Sequence, residues 1–131
     1  MPDIESHDES KRSRVTFRLL ALALVATALG TFAYFNLGQT RFDSNVWKSM
    51  PSNDPGRLAM VDDLLAKYRL VGMTQSEIDG MLGIPPQTPY FQDYDYVYWL
   101  GPERGVISID SEWLCIAFDK GVAVEARLMR D

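Results

Sequence analysis

Histidine and cysteine are almost missing from this sequence: His7 and Cys115 are single occurrences among 131 residues. One cysteine rules out an internal disulfide. Zinc and most transition metals need clustered histidine or cysteine ligands, and here there is one of each, at opposite ends of the chain. His7 belongs to the polar N-terminal tail, so neither a Ser-His-Asp nor a Cys-His arrangement can be assembled in the rest of the protein. A surplus of positive charge is also lacking. The net charge is −5, and residues 41–131 carry nine basic against fourteen acidic side chains. Such a domain has no electrostatic reason to bind nucleic acid. No glycine-rich phosphate loop, internal repeat or low-complexity stretch occurs. On these grounds the chain is read as non-enzymatic, with no cofactor and no metal.

The sequence divides into a tail, an apolar segment and a globular part. Residues 1–18 form a polar tail in which four acids (Asp3, Glu5, Asp8, Glu9) precede four bases (Lys11, Arg12, Arg14, Arg18). Residues 19–40 contain no charged side chain, a run long enough to cross the roughly 30 Å hydrocarbon core of a bilayer as a helix. This run is the expected contact with the lipid bilayer. Arg12, Arg14 and Arg18 precede it, so the positive-inside rule leaves the tail in the cytoplasm and puts residues 41–131 across the membrane. Tyr34, Phe35 and Asn36 suit the interfacial belt at its far end. The alternative is a secretory signal with Ala28-Leu29-Gly30 as its cleavage site. The apolar run continues past that point, which favours a retained single-pass anchor.

Residues 41–53 are read as a tether. Asp54-Pro55 reads as the start of a helix to about Tyr68, with Leu58, Val61, Leu64, Leu65 and Tyr68 on its apolar face. A second, two-turn helix is specified at both ends. Thr74 with Glu77 makes a capping box, and Met73 with Ile78 a hydrophobic staple. Gly83 supplies a left-handed stop, Ile84 folds back onto Ile78, and Pro85 forbids continuation. So short a helix has no independent stability, so it must dock on something.

After a proline-rich loop the periodicity changes to two. Tyr94–Leu100 and Trp113–Phe118 read as strands, and Val106–Asp110 is strand-like. Leu114, Ile116 and Phe118 share one face, and Val122, Val124, Ala126 and Leu128 line one face of a last strand. Asp119-Lys120-Gly121 is the hairpin turn between these two. Cys115, inside WLCIAF, is read as a buried, inert thiol. The expected fold is α+β: two helices packed on a three-stranded antiparallel meander, preceded by one transmembrane helix.

Gly72-Met73-Thr74 after Val71, the pairing Leu82-Gly83-Ile84-Pro85, the aromatic strand Tyr96–Trp99 and the hairpin Ile116–Val122 together resemble the SmpA/OmlA (BamE-like) proteins of bacterial outer-membrane assembly. The likeness covers residues 57–128, so that 54–131 is expected to be a BamE-like α+β domain. The resemblance implies a non-enzymatic accessory protein that binds envelope proteins and lipid. Family members carry a lipid-modified cysteine, whereas here the uncharged segment takes the place of that anchor. The implied location is the bacterial inner membrane, with the domain in the periplasm.

Six of the fifteen aromatic residues fall between Tyr90 and Trp99. Alternation places Tyr94, Tyr96 and Tyr98 on one strand face, beside Asp93 and Asp95, and this group is the candidate interaction surface. Ordinary cross-strand packing is the competing explanation. Asp93 with Asp95, and Asp110 with Glu112, are the only paired acids in the strands and their turns that could bind calcium or act as acid and base, and turn or strand-edge roles compete with both. Two functions are therefore expected. One is a tethered interaction domain for an envelope or membrane protein, or for assembly of a membrane complex. The other is a small ligand- or glycan-binding module, or a weak carboxylate enzyme, using the Tyr/Trp/Asp strand.

Overall fold

The computed structural model describes the backbone of residues 5–37 and 40–131, and the side chains of 11–33 and 40–131. His7, the acids Asp3, Glu5, Asp8 and Glu9, and the belt residues Tyr34, Phe35 and Asn36 lie outside the described side chains. The chain forms two units, residues 1–38 and 39–131. In the first, helix α1 spans Glu5–Leu37. Within it, the 23 residues Lys11–Ala33 are long and apolar enough to cross a membrane. At 1.5 Å per residue they extend about 35 Å. The hydroxyls of Thr16, Thr27 and Thr31 donate to the carbonyls of Arg12, Ala23 and Thr27, which satisfies these three hydroxyl protons within the helix.

The second unit is α+β: helices α2 (Ser44–Ser49), α3 (Gly56–Lys67) and α4 (Gln75–Leu82) precede strands β1 (Tyr96–Pro102), β2 (Ser111–Asp119) and β3 (Val122–Arg130). The sheet is an antiparallel meander in the order β1-β2-β3. Two of the three helices are the expected ones. The third, α2, lies in the stretch read as a tether. Asp43 caps it, its Oδ1 accepting from the N–H groups of Asn45 and Val46 at 2.9 Å. The segment is stitched to its neighbours. Thr40 N–H donates to Ala59 O, Phe42 N–H to Asp63, and Ser44 Oγ to Met81 O. Trp47 on α2 is completely buried.

Helix α3 starts at Gly56, whose N–H donates to Asp54 Oδ1 at 2.8 Å. Its buried face is Arg57, Met60, Val61 and Leu64, while Leu65 and Tyr68 are exposed. The sequence pattern therefore runs about one position off the true core stripe. Helix α4 has the expected capping box: Glu77 N–H donates to Thr74 Oγ1 at 3.2 Å and Thr74 N–H to Glu77 Oε2 at 2.8 Å. The stop differs. Gly83 has φ 73° and ψ 170°, a region essentially reserved for glycine, and the chain leaves in a direction that exposes Ile84 instead of returning it to Ile78. Gly83→Ala should therefore lower stability by about 2 kcal/mol from backbone strain alone, because a Cβ there would meet only the Lys48 stem, at 3.5 Å or more. Thr74→Ala should cost about 1 kcal/mol. Both are read from unfolding midpoints, and an unchanged midpoint for Gly83→Ala would mean that the backbone relaxes to another stop.

Helix α4 docks as its length required. Gln75 N–H donates to Gly121 O, Gly72 N–H to Ala123 O, and Ala123 N–H to Met73 O, so residues 72–75 lie against the start of β3. The Val71–Gln75 motif thus does two things at once: it caps α4 and ties it to the hairpin. The main core joins Ile78 and Leu82 of α4 to Tyr96, Tyr98, Leu100, Leu114 and Ile116 of the sheet. Val124 is not part of it, being 53% exposed. The register shifts between Ala117 and Phe118, so Val124 is left over in β3 and Ala123 takes the buried place. A second shift lies between Trp99 and Gly101. Gly101, at φ 152°, approaches the start of α3 so closely that a Cβ would sit 3.2 Å from Pro55 Cβ and 3.3 Å from Leu58 Cδ2.

Residues 106–110, strand-like in composition, are not a strand. They belong to the β1–β2 connection, closed by Glu103 N–H donating to Asp110 O at 2.8 Å. Val106, Ile107 and Ile109 are exposed. Branched residues favour extended backbone, but a strand also needs a partner, and this connection has none among the described residues.

Candidate binding site at the free edge of the sheet

The loop between α4 and β1 turns the expected aromatic surface inside out. Tyr96 and Tyr98 are not exposed; both face the helices and are buried. Tyr96 Oη donates to Asp79 Oδ1 at 2.5 Å and accepts from Gln75 Nε2 at 3.0 Å. Tyr98 Oη donates to Gly83 O at 2.6 Å. Burial pushes both phenols above their ordinary pKa, and the bond to Asp79 adds to this for Tyr96. These tyrosines fasten α4 to β1. Tyr94 precedes the strand and packs on the opposite face, its hydroxyl donating to Glu125 Oε1 at 2.9 Å. The three tyrosines therefore do not form one surface.

The opposite sheet face carries its own small core of Val97, Trp113 and Cys115. The loop covers it: the rings of Tyr90 and Phe91 lie 5.1 and 6.2 Å from that of Trp113. Burial raises the Cys115 thiol to about 11, which keeps it protonated and inert. One acid of each pair is occupied with structure. Asp95 Oδ2 accepts from Phe118 N–H at 2.7 Å, and Asp93 is exposed. Glu112 is bound by Arg104, so Asp110 and Glu112 do not act together. Among the described residues no group of three or more His, Cys, Asp or Glu is placed to hold a metal ion.

What the loop leaves open is the outer edge of β1. It passes that edge, leaving a hollow of about 620 Å³ on one side and a smaller one of about 260 Å³ on the other. The larger is of ligand-binding size. One wall comes from the helical layer: Lys48, Met50, Arg57 and Leu82. The other comes from the far side of the sheet: Tyr90, Trp99 and Trp113. Between them run Val97, Tyr98 and Trp99 of β1 itself.

Two of these residues carry a buried N–H group without a protein acceptor. Trp113 and Arg57 are each 8% exposed, and Trp113 Nε1 and Arg57 Nε are buried without an acceptor. The remaining guanidinium nitrogens of Arg57 are spent on three carbonyls, those of Trp47, Met50 and Pro51, at 2.6–2.9 Å. These are carbonyls at and just beyond the C-terminus of α2, where a cation is favoured. No described carboxylate forms an ion pair with Arg57, and burial lowers its pKa from the ordinary arginine value, opposed by Asp54 and Tyr98. Trp47 Nε1, away from the hollow, is a third buried donor without a protein acceptor, so such donors are a feature of the core and not of this wall alone.

Lys48, Arg57 and Trp113 are absent from the group of residues expected from sequence, whereas Trp99 belongs to the Tyr/Trp/Asp strand of the alternative reading. A signal existed for Arg57, which falls on the helical stripe of Val61 and Leu64. Searches against known protein families, curated proteins and solved structures return no match for this chain.

Proposed function

We propose that this protein is a membrane-anchored, non-enzymatic binding module, whose working surface is the hollow at the free edge of β1. The observation that carries this reading is the coincidence, in one hollow of about 620 Å³ beside the unpaired strand β1, of the aromatic side chains Tyr90, Trp99 and Trp113 with the cationic ones Lys48 and Arg57. The occupation of Asp95 and Glu112 by structural bonds supports binding over catalysis. The apolar Lys11–Ala33 helix and the arginines at its start support a single-pass anchor with a cytoplasmic N-terminus and the domain on the opposite side. Resemblance to the SmpA/OmlA proteins supports a bacterial inner membrane, a periplasmic domain and an envelope-protein partner.

The test is photocrosslinking from inside the hollow. A benzophenone side chain replaces Trp99 in the full chain, in its native membrane, with Val124 as the control position on the exposed part of β3. A discrete adduct from position 99 and none from 124 is expected, its mass telling polypeptide from lipid or small molecule. No adduct at 99, or the same adduct from both positions, removes the hollow as the binding surface.

A further inference from the structure

Resting on that reading of the hollow, we propose that its ligand is an extended polypeptide segment that lies beside β1 as a fourth strand, with carboxylate side chains turned towards Lys48 and Arg57. Three consecutive strand residues, Val97, Tyr98 and Trp99, line the hollow. Successive side chains of a strand point to opposite faces, so a body touching all three must sit in the plane of the sheet, alongside the main chain. The same hollow is walled by the helical layer on one side and by Trp113 on the other, which places it where the next strand would run.

The edges of the sheet are unequal. β1 pairs only with β2, and β3 meets residues 72–75 at its start. An unpaired strand edge presents a row of main-chain donors and acceptors, and addition of an extended peptide satisfies them. Compact small molecules cannot use that row. Charge sets the side chains. The domain is acidic overall, yet the helical wall carries Lys48 and Arg57, with no ion pair to either among the described residues. Lys48 Nζ is committed only to Gly80 O, at 2.7 Å. The other wall carries Tyr90, Trp99 and Trp113, with Ser111 N–H donating to Asp131 beside them, and the loop adds Ile84, Pro85 and Pro86, so apolar groups dominate this side. A ligand strand should therefore alternate: acidic residues towards the helices, apolar or aromatic residues towards Trp99 and Trp113.

The experiment uses the full chain in detergent micelles and a display library of randomised peptides of about nine residues, the upper range of a single strand. Enriched peptides should alternate acidic and apolar residues. N-methylation of their amides at one parity should weaken binding roughly tenfold, and at the other parity hardly at all, because a strand pairs through alternate residues. Lys48→Gln should weaken the acidic peptides and restore relative binding of versions carrying glutamine for glutamate. Failure to enrich any peptide overturns the proposal, and so do peptides that tolerate N-methylation at both parities. A non-peptide adduct from position 99 alongside either failure would keep the hollow as a binding site and reject only the strand.

Discussion

Trp47→Ala should lower stability by about 4 kcal/mol, the loss expected when a fully buried indole becomes a cavity. The ring is completely buried. It makes edge contacts with Phe42 at 5.8 Å and Tyr98 at 6.1 Å, and the Arg57 guanidinium lies 5.6 Å from its centre. Truncation therefore removes packing between α2 and β1 and one face of a buried cation together. Val46→Ala, one residue earlier and exposed, should cost little. Chemical unfolding of the full chain in micelles measures both. A loss below about 1 kcal/mol for Trp47→Ala would mean that residues 40–53 fold onto the domain without stabilising it.

That residue also shows where sequence reasoning stops. Elements with punctuation at both ends were legible: Thr74, Glu77 and Gly83 bounded α4, and Asp119-Lys120-Gly121 bounded the β2–β3 hairpin. The order of helices and strands followed from periodicity. Helix α2 is only six residues long, too short for any periodic signal. Its one cue was chemical: Asp43 capping a stretch with a tryptophan, which a solvated tether has no use for. Bulges were the other blind spot. A single extra residue, Val124, reverses the facing of β3 on one side of it, and composition carries no mark of where the ladder slips.

The site was less legible than the fold for a related reason. Alternation correctly separated Tyr96 and Tyr98 from Val97 and Trp99, but nothing local decides which face meets the helices. The helices took the tyrosines because the hydroxyls find Asp79 and Gly83 O in the α4 layer. The hollow arises from residues far apart in sequence: Lys48 on α2 and Arg57 on α3, joined by the bonds of Arg57 to the end of α2, and Trp99 and Trp113, paired across β1 and β2. Arg57 was given no role from the sequence. Its position on the stripe with Val61 and Leu64 was the sign that it is buried.

Arg104→Met should cost about 2 to 3 kcal/mol at pH 7, and much less near pH 4. Glu112 is 2% exposed and accepts from Arg104 through both carboxylate oxygens, at 2.8–3.2 Å, and from the Arg104 N–H at 2.9 Å. Arg104 also reaches Asp62 on α3 at 2.5 Å, so one side chain links the β1–β2 connection, β2 and α3. Removing one partner of a buried pair strands the other charge; Arg104 is 41% exposed, which puts the cost at or below the low end of the usual range. Burial pushes the Glu112 carboxyl up and the Arg104 bonds push it down further, leaving it below its ordinary value. In the parent this carboxylate therefore contributes stability above the ordinary carboxyl pKa, lost as pH falls through the depressed one. In Arg104→Met only Arg130, at 3.8 Å, still faces it, and burial wins. The carboxyl then rises above its ordinary value, so the variant gains stability as acid protonates it while the parent loses stability. The two curves should converge on acidification. Adding Glu112→Gln to Arg104→Met should recover most of the loss at pH 7, since a neutral amide is less costly to bury than an unpaired charge. A pH-independent gap between parent and Arg104→Met, unrelieved by Glu112→Gln, would mean that Arg104 acts through packing of its stem and not through the charge on Glu112.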